Sequence, residues 1–323
     1  MDILYAFQGT GNGHVARAQE IIPILKKYAK VDTLISGHQS QLSADFPIDY
    51  KYKGISLLYN KSGGISYKKI LLKNNFVETI KIINQIELSK YDLILNDFEP
   101  ITAWACKLRG LKMLELSHQA ALDFAEAPKP SKKSVSGEFF LKNYAPSEQK
   151  IGFHFENYHP KIKKPVIRKS IRQLTPSNDG FYIVYLPSFS DENLIKTLKQ
   201  IPVQWKIFSK HAKNISHFEN VSIFPIDTIE FLKNFARCEG ILCNAGFEGP
   251  AEALFLNKKL FVVPIHNQYE QECNAFALQQ LGIRSSKILD VLEITNWVAS
   301  AQIFTVDYPD DIEEIITNEV LTF

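Results

Sequence analysis

The run GILCNAGFEGPAEALFLNKKLFVVP, residues 240–264, decides the fold of this chain. Its apolar ends, Gly240 to Cys243 and Leu260 to Val263, predict two short buried strands with a helical segment between them. Gly246 and Gly249 permit a tight turn where the first strand gives way to the helix. A strand, a glycine turn, a helix and a second strand make up one unit of a parallel sheet that is covered by helices.

The same alternation runs through the rest of the chain. In the second half, Asp227 and Glu230 are spaced as a capping box that starts a helix at Thr228. The further strands predicted in that half are Phe181 to Leu186, Val203 to Phe208 and Val221 to Phe224. The strands predicted in the first half are Asp2 to Phe7, Val31 to Ile35, Tyr91 to Leu95 and Lys112 to Leu116. The sequence therefore predicts the α/β class, with two doubly wound, Rossmann-like sheets facing a cleft.

The length of the chain predicts two domains. At 323 residues it exceeds what one hydrophobic core usually supports, so two units of roughly 150 residues are expected. Between Ala127 and Arg172, eleven Lys and Arg stand against three Glu, with several prolines, and Pro165 marks the boundary between domains at 1–164 and 165–323. We interpret the basic run as a solvated connector. Attraction to anionic lipid or to an anionic acceptor is the alternative.

Composition excludes several classes of protein. The net charge of +2 is too small for a polynucleotide-binding domain, which needs a basic face. The opening MDILYAFQGTG lacks a signal peptide's basic lead, and no apolar stretch approaches the ~20 residues that cross a bilayer. Cys106, Cys238, Cys243 and Cys273 have neither zinc-site spacing nor the density of a disulfide framework. We expect a cytoplasmic protein, with peripheral contact at the inner face of the membrane as an open alternative.

The loop Gly9-Thr10-Gly11-Asn12-Gly13-His14 joins the first strand to the first helix. Glycines let the backbone approach a ligand, and a helix N-terminus offers unpaired N–H groups to an anion. A phosphate or a polar substrate is therefore expected here. A dinucleotide fingerprint is disfavoured, because the third glycine is displaced and the second strand ends in Leu34-Ile35-Ser36-Gly37, without the acidic residue that holds a ribose at a strand end.

His14 lies where ligands bind in doubly wound folds, and a histidine titrates near the pH at which a general base works. Asp97 follows the strand that begins at Tyr91, so it is expected on the same edge of the sheet. A carboxylate there can orient the imidazole and stabilise its protonated form. Each residue also has an ordinary alternative, in which both only cap helices.

The turn after Cys243 offers a second anion site. The helix that Gly246 and Gly249 open can bind a diphosphate with its first N–H groups. Glu252 can accept two hydrogen bonds from a ribose diol, or it can serve only as a favourable helix-dipole charge. The pair Glu270 and Gln271 precedes another helix, where the two can bind sugar hydroxyls or cap the helix.

Residues 243–283, CNAGFEGPAEALFLNKKLFVVPIHNQYEQECNAFALQQLGI, resemble the C-terminal signature of GT-B glycosyltransferases. Residues 8–18, QGTGNGHVARA, resemble the glycine loop of UDP-glycosyltransferases and of the bacterial transferase that adds N-acetylglucosamine to a lipid-linked cell-wall precursor. The resemblance implies that domain 165–323 binds a nucleotide sugar and that domain 1–164 binds the acceptor. It also implies that the last helix packs back on the first domain.

The resemblance assigns roles to individual residues. His14 would be the base or an acceptor-site histidine, and Asp97 would be its orienting carboxylate. Ile226 would read the uracil through its backbone, and Ser188 would lie near the diphosphate. The full set of implied donor-binding residues is Gly11, Asn12, Gly13, Ser188, Ile226, Asn244, Gly246, Phe247, Gly249, Glu252, Glu270, Gln271 and Asn274.

The chain departs from the family pattern at two places. Glu248 stands where many relatives have a hydroxyl or amide beside the phosphates, and a carboxylate there is repulsive unless it points away. The loop after the first strand of the second domain, Leu186 to Phe189, lacks the family's glycines.

The implied reaction is an inverting, metal-independent transfer of a sugar, UDP-linked for preference, to an acceptor hydroxyl, with no cofactor. The acceptor is left open between a glycan, a lipid-linked molecule and a small molecule. Its expected site is formed by Tyr50 to Asn75 and by Ser117-His118-Gln119. Two further functions also stay open, a nucleotide-sugar 2-epimerase of the same fold and a non-catalytic sugar-nucleotide-binding protein.

Overall fold

The computed structural model describes residues 1–37, 44–55, 69–70, 72, 74–131 and 134–323. Within these residues, each half of the chain forms a seven-stranded sheet with helices. Gly63, Gly64 and most of the expected acceptor stretch from Tyr50 to Asn75 lie outside the described residues.

The first sheet has the order β3-β2-β1-β4-β5-β6-β7, and every neighbouring pair is parallel. Its strands are β1 (Asp2–Gln8), β2 (Lys30–Ser36), β3 (Tyr50–Tyr52), β4 (Leu93–Asp97), β5 (Leu114–Ser117), β6 (Gln149–Phe153) and β7 (Ile162–Lys163). The helices of this half are α1 (Asn12–Leu25), α2 (Phe76–Gln85), α3 (Pro100–Arg109), α4 (His118–Ala121) and α5 (Val135–Tyr144). The central strand β1 is buried on both faces, as expected for a parallel sheet between two layers of helices.

The second sheet has the order β10-β11-β9-β8-β12-β13-β14, in which β10 is antiparallel to β11 and the other pairs are parallel. Its strands are β8 (Phe181–Tyr185), β9 (Gln204–Ser209), β10 (Ser216–Phe218), β11 (Val221–Pro225), β12 (Gly240–Cys243), β13 (Lys259–Val262) and β14 (Arg284–Ser285). The helices from α6 onward are α6 (Lys169–Arg172), α7 (Asp191–Leu198), α8 (Thr228–Arg237), α9 (Glu248–Phe255), α10 (Tyr269–Gln280), α11 (Val291–Ser300) and α12 (Ile312–Ile315), which a π-helical turn (Ile316–Val320) follows. The predicted start of α8 is confirmed, because Asp227 Oδ1 accepts a hydrogen bond from the Glu230 N–H at 2.8 Å.

Both sheets reverse their strand order next to the first strand of each half. In the first sheet the reversal lies between β1 and β4, and Phe7 pairs with Asp97 in register. In the second it lies between β8 and β12, where Tyr185 pairs with Cys243. In open α/β sheets, ligands bind in the crevice at such a switch point, beyond the carboxyl ends of the strands. The predicted class, two Rossmann-like halves, is confirmed.

The basic run from Ala127 to Arg172 is more than the solvated connector that the charge pattern predicted. It contains α5 and two strands of the first sheet, and Ile151 and Phe153 of β6 are buried. The Lys150 ammonium on β6 forms ion pairs with Glu115 and Asp123, so it is not a freely solvated charge. Composition misled here because it does not show that the lysines of this run pair with carboxylates elsewhere in the fold. Contact of this run with lipid stays a prediction.

The two halves share one core. The largest cluster of buried side chains includes Phe153 and Phe155 from the first half and Phe247 from the second. The C-terminal segment contacts the first half, since Glu313 on α12 accepts from Lys27 Nζ at 2.7 Å and Glu319 from Lys163 Nζ at 2.6 Å. All four cysteines are buried and unbridged. In the part of the chain that the structure describes, no helix is long and apolar enough to cross a membrane.

Candidate functional site

A cleft of about 790 Å³ lies between the carboxyl ends of the two sheets. From the first half it is lined by the glycine loop, His14 and Gln119, and from the second by the β12–α9 turn and the start of α10. The predicted site residues that line it are Gly11, Asn12, Gly13, His14, Ser188, Asn244, Gly246, Phe247, Gly249, Glu252, Glu270 and Gln271. The fold therefore brings most of the predicted site to one opening.

His14 and Asp97 form a hydrogen-bonded pair on the wall of the first half. Asp97 Oδ1 lies 2.8 Å from His14 Nδ1, and the carboxylate is fully buried. An ionised carboxylate only accepts hydrogen bonds, so Nδ1 carries the proton and Nε2 is the basic nitrogen. This is the geometry of a base with its orienting carboxylate.

Arg17 shares the same carboxylate, and sequence reasoning missed it. Its Nε donates to Asp97 Oδ2 at 2.8 Å and its Nη2 to Oδ1 at 2.7 Å, in a bidentate pair. Burial opposes ionisation of Asp97, but Arg17 and then His14 outweigh it and hold the pKa of this carboxyl below its ordinary value. Because Arg17 stands three residues after His14 on α1, helical spacing was the signal that could have found it.

The turn between β4 and α3, which directly follows Asp97, is held by hydrogen bonds of its side chains. The Asn96 amide donates to the Glu99 carbonyl at 2.8 Å, and the buried Glu99 carboxylate accepts from the Ile101 and Thr102 N–H groups at the start of α3. Phe98, between them, has a φ of 55°. A bulky residue rarely adopts this left-handed backbone conformation, and such strain concentrates at functional sites. Its ring is parallel to the His14 ring, with the centroids 6.3 Å apart.

The opposite wall is the turn from β12 into α9. The Asn244 amide donates to the Val263 carbonyl at 2.8 Å and to Ser188 Oγ at 3.0 Å, which ties together the ends of three strands. A Cβ atom at Gly246 or Gly249 would meet nothing within 4 Å, so the backbone at both glycines is open. Helix α9 begins without a side-chain cap. Its first N–H groups are therefore able to bind an anion from the cleft.

Glu252 lines the cleft but already has a partner. Arg168 donates to both of its carboxylate oxygens, from Nε at 2.5 Å and from Nη2 at 2.8 Å. No local pattern predicts this pair, because Arg168 precedes α6 and lies 84 residues from Glu252 in the chain. A carboxylate has about four acceptor positions, so Glu252 keeps capacity for hydroxyl groups while bound to Arg168.

Glu248, the first residue of α9, reaches the first half of the molecule. Its Oε1 accepts from Arg17 Nη1 at 2.5 Å, across the cleft. A Cβ atom at Gly13 would lie only 2.2 Å from Glu248 Oε2, so the carboxylate sits against the start of α1. The anion expected at the first glycine loop is, in this structure, a side chain of the second half.

Other predicted residues join the two halves. The Gln119 amide of the first half donates to Glu270 Oε2 of the second at 3.0 Å. Gln271 bonds within the second half instead, where its Oε1 accepts from the Ile265 N–H at 2.9 Å. Asn274 Oδ1 lies 2.8 Å from Nε2 of His118, a buried histidine whose pKa burial lowers. Asn274 is therefore a contact between the halves and is not among the residues that line the cleft.

Ile226 is also absent from the cleft lining, and 37% of its surface is exposed. The second-half wall instead continues with residues that the sequence did not single out. Lys210 and His211 follow the carboxyl end of β9. The rule that ligands bind beyond the carboxyl ends of parallel strands could have identified them. Other residues of this wall are Tyr185, Pro187, Phe189, Ser190, Phe231, Phe235, Ile241, Cys243, Pro250, Ile265 and Gln268.

Among the described residues, three polar atoms of side chains that line the cleft are buried without a hydrogen-bond partner. They are Thr10 Oγ1, Gln119 Oε1 and Gln268 Oε1. Such groups are costly to bury unpaired, so their convergence on one opening fits a polar ligand. Among the described residues, no group of three or more His, Cys, Asp and Glu side chains is arranged to hold a metal ion.

Two parallel sheets whose switch points face one cleft define the GT-B class of glycosyltransferase folds. The family model described as glycosyl transferase family 1 matches residues 1–300, so the chain belongs to this family. A comparison with curated protein sequences finds no match.

Solved structures agree on the fold. MurG of Acinetobacter baumannii is similar at 14% identity and a TM-score of 0.56, over 100% of this chain and 99% of that one. Phytolacca americana UGT2, complexed with UDP-2-fluoroglucose and pterostilbene, is similar at 12% identity and a TM-score of 0.59, over 97% and 91%. Arabidopsis thaliana UGT89C1, complexed with UDP, is similar at 13% identity and a TM-score of 0.57, over 99% and 94%.

Proposed function

We propose that this protein is an inverting glycosyltransferase that moves a sugar from a UDP-sugar to an acceptor hydroxyl without a metal ion. The observation that carries the proposal is the His14–Asp97 pair, 2.8 Å apart, on the cleft wall opposite the uncapped start of α9. A base on one wall and an anion site on the other are the two groups that such a displacement needs. Two similar structures that contain UDP or a UDP-sugar support the choice of nucleotide.

In this mechanism His14 Nε2 takes the proton of the acceptor hydroxyl while its oxygen attacks the anomeric carbon. The bond from that carbon to the diphosphate oxygen breaks, and the diphosphate leaves with the electron pair. Backbone N–H groups at the start of α9 stabilise the departing charge, which is where preorganised donors contribute most to the rate. Asp97 stabilises the imidazolium that forms.

The donor-binding roles follow the wall of the second half. Glu252, held by Arg168, binds the ribose hydroxyls with its remaining acceptor positions, and Glu270 with Gln271 binds the sugar. Ser188 and Asn244 shape the diphosphate turn. The aromatic side chains Tyr185 and Phe231 give the nucleobase an apolar surface.

The test is a thermal-shift screen of UDP-, dTDP- and GDP-sugars, followed by an acceptor screen with the donor that stabilises most. A ligand of the native state raises the melting temperature by mass action. We expect His14→Ala to lower turnover by about 100-fold or more and to leave donor affinity unchanged, the usual scale for a general base. The matched control is His217→Ala, an exposed histidine on β10 that bonds Ser222, and it should keep full turnover.

Three outcomes would overturn the proposal. Epimerisation of the donor without an acceptor would identify the epimerase, and donor binding with no chemistry for any acceptor would identify a binding protein. Full turnover in His14→Ala would remove the base from the mechanism.

A further inference from the structure

The anion at the start of α1 comes from the other half of the molecule. In the part of the chain that the structure describes, helix α1 has no side-chain cap, and its first turn holds no acidic residue. Glu248 supplies the missing negative charge, because its carboxylate oxygens would lie 2.2 and 2.9 Å from a Cβ atom on Gly13. A carboxylate at a helix N-terminus is favourable through the helix dipole and the unpaired N–H groups.

Arg17 joins this carboxylate to the catalytic pair. The guanidinium donates to Asp97 through Nε and Nη2 and to Glu248 through Nη1, and its side chain is only 2% exposed. Burial disfavours its charge, but the two carboxylates raise the pKa of Arg17 above its ordinary value. A planar guanidinium presents its donors in a rigid fork, so it transmits a fixed geometry from one carboxylate to the other.

Glu248 is also the first residue of α9, whose N–H groups face the cleft. A change in the distance between the halves therefore moves Glu248, which moves Arg17, which holds Asp97. The order of contacts from the donor side to the base is Glu248, Arg17, Asp97 and His14.

We propose that Glu248 and Arg17 form a clamp by which the donor-binding helix α9 positions the His14–Asp97 pair, so that the base is aligned only when the cleft is closed. The inference rests on the proposed function and adds two positioning residues to it, since neither side chain needs to touch the reacting atoms. It also reassigns Gly13, which receives Glu248 and leaves the diphosphate to α9.

The first experiment compares Glu248→Gln with the wild type, using UDP and the UDP-sugar that gives the largest thermal shift. Glu248→Gln removes one of the two carboxylate charges that hold Arg17 in place. Misplacement of a catalytic group costs up to about 100-fold in rate. We expect kcat to fall at least about tenfold while the Kd for UDP changes less than about threefold. The control is Glu319→Gln, which removes another carboxylate that joins the two halves, through Lys163, and should leave kcat unchanged.

The second experiment tests the position of the carboxylate. Gly13→Ala places a methyl group where Glu248 sits, whereas alanine is otherwise favourable within a helix. We expect Gly13→Ala to lower kcat in the wild type and to have a much smaller effect when Glu248 is already alanine. Such non-additivity is the signature of two residues in direct contact.

Unchanged kcat in Glu248→Gln, or equal effects of Gly13→Ala in both backgrounds, would overturn the clamp. A Kd for UDP that tightens strongly in Glu248→Gln would also overturn it, because the carboxylate would then face the phosphates. In each of these cases the wild type still binds and transfers, so the proposed function survives. If no nucleotide sugar binds the wild type, the proposed function itself fails.

Discussion

Two consecutive residues, Phe247 and Glu248, carry the second half onto the first by different chemistry. The Phe247 ring stacks on His118 with the centroids 3.9 Å apart and lies 5.1 Å from Phe155, in a contact that is almost fully buried. Glu248 joins a cluster of charged side chains through its ion pair with Arg17. One contact is stabilised by burial and packing, the other by paired charges in a fixed geometry.

The turn from β12 into α9 therefore serves two purposes. The aromatic contact needs only a good fit, so we expect it to govern how tightly the halves hold together. The charged contact contributes less certainly to stability, because desolvation offsets much of the attraction of a buried ion pair. Its value lies in orientation, and removing one partner is costly because the other charge is then stranded.

The largest effect is expected from breaking the charged contact at its centre. Asp97→Asn removes the carboxylate that accepts two hydrogen bonds from the buried guanidinium of Arg17, and removing one partner of a buried ion pair costs about 3–5 kcal/mol of stability. Urea unfolding would measure this loss. The matched control is Asp179→Asn, which breaks an exposed pair with Arg237 and should cost no more than about 1 kcal/mol. Equal losses in the two variants would mean that burial of the first pair has no energetic consequence.

A somewhat smaller effect is expected from the aromatic contact. Phe247→Ala removes a buried ring between the halves, and such a truncation costs about 3 kcal/mol. The same unfolding experiment on Phe139→Ala, a phenylalanine of α5 that is 69% exposed, supplies the control and should show little change. If Phe247→Ala were also neutral, packing at this turn would not hold the halves together.

The smallest expected effect is a pH dependence of stability between pH 8 and pH 5, which arises at the aromatic contact. Burial lowers the pKa of His154, which lies behind Phe247, well below the ordinary value. The unfolded chain takes up a proton near pH 6.5 and the folded one does not, so this contribution is intact above pH 6.5 and is lost as the pH falls below it.

The measurement compares urea unfolding of the wild type and His154→Phe at pH 8 and pH 5. Relative to the variant, the wild type should lose stability as the pH falls below 6.5, by up to about 1.4 kcal/mol per pH unit. His217→Phe, which changes an exposed histidine, should leave the pH dependence of the wild type intact. A difference between wild type and His154→Phe that does not vary with pH would show that His154 has the same pKa in the folded and unfolded states.

Much of the site followed from local sequence rules. Glycine turns at the carboxyl ends of apolar strands predicted both walls of the cleft, and the shared edge of a parallel sheet predicted that Asp97 lies beside His14. Arg17 was within reach of the same reasoning, since it stands one helical turn after His14. Lys210 and His211 follow a strand end in the same way.

Other features had no local signal. Arg168 reaches Glu252 from 84 residues away, and Arg17 reaches Glu248 from 231 residues away. The basic run that contains β6 failed as a connector because its lysines find carboxylates that lie far off in the chain, such as Glu115. Ile226 and Asn274 were assigned by resemblance, and the structure places neither among the residues that line the cleft.

The sequence by itself determined the alternation of strands and helices and the glycine turns that open α1 and α9, because each depends on periodicity and on glycine at fixed positions. Only the tertiary structure decided which anion each helix receives. The start of α1 is filled by Glu248 and the start of α9 is left open to the cleft. The physical reason is that a charged group pairs with an opposite charge that lies within a few ångströms of it. The distances between charged groups of the two halves are set by how the two sheets pack against each other.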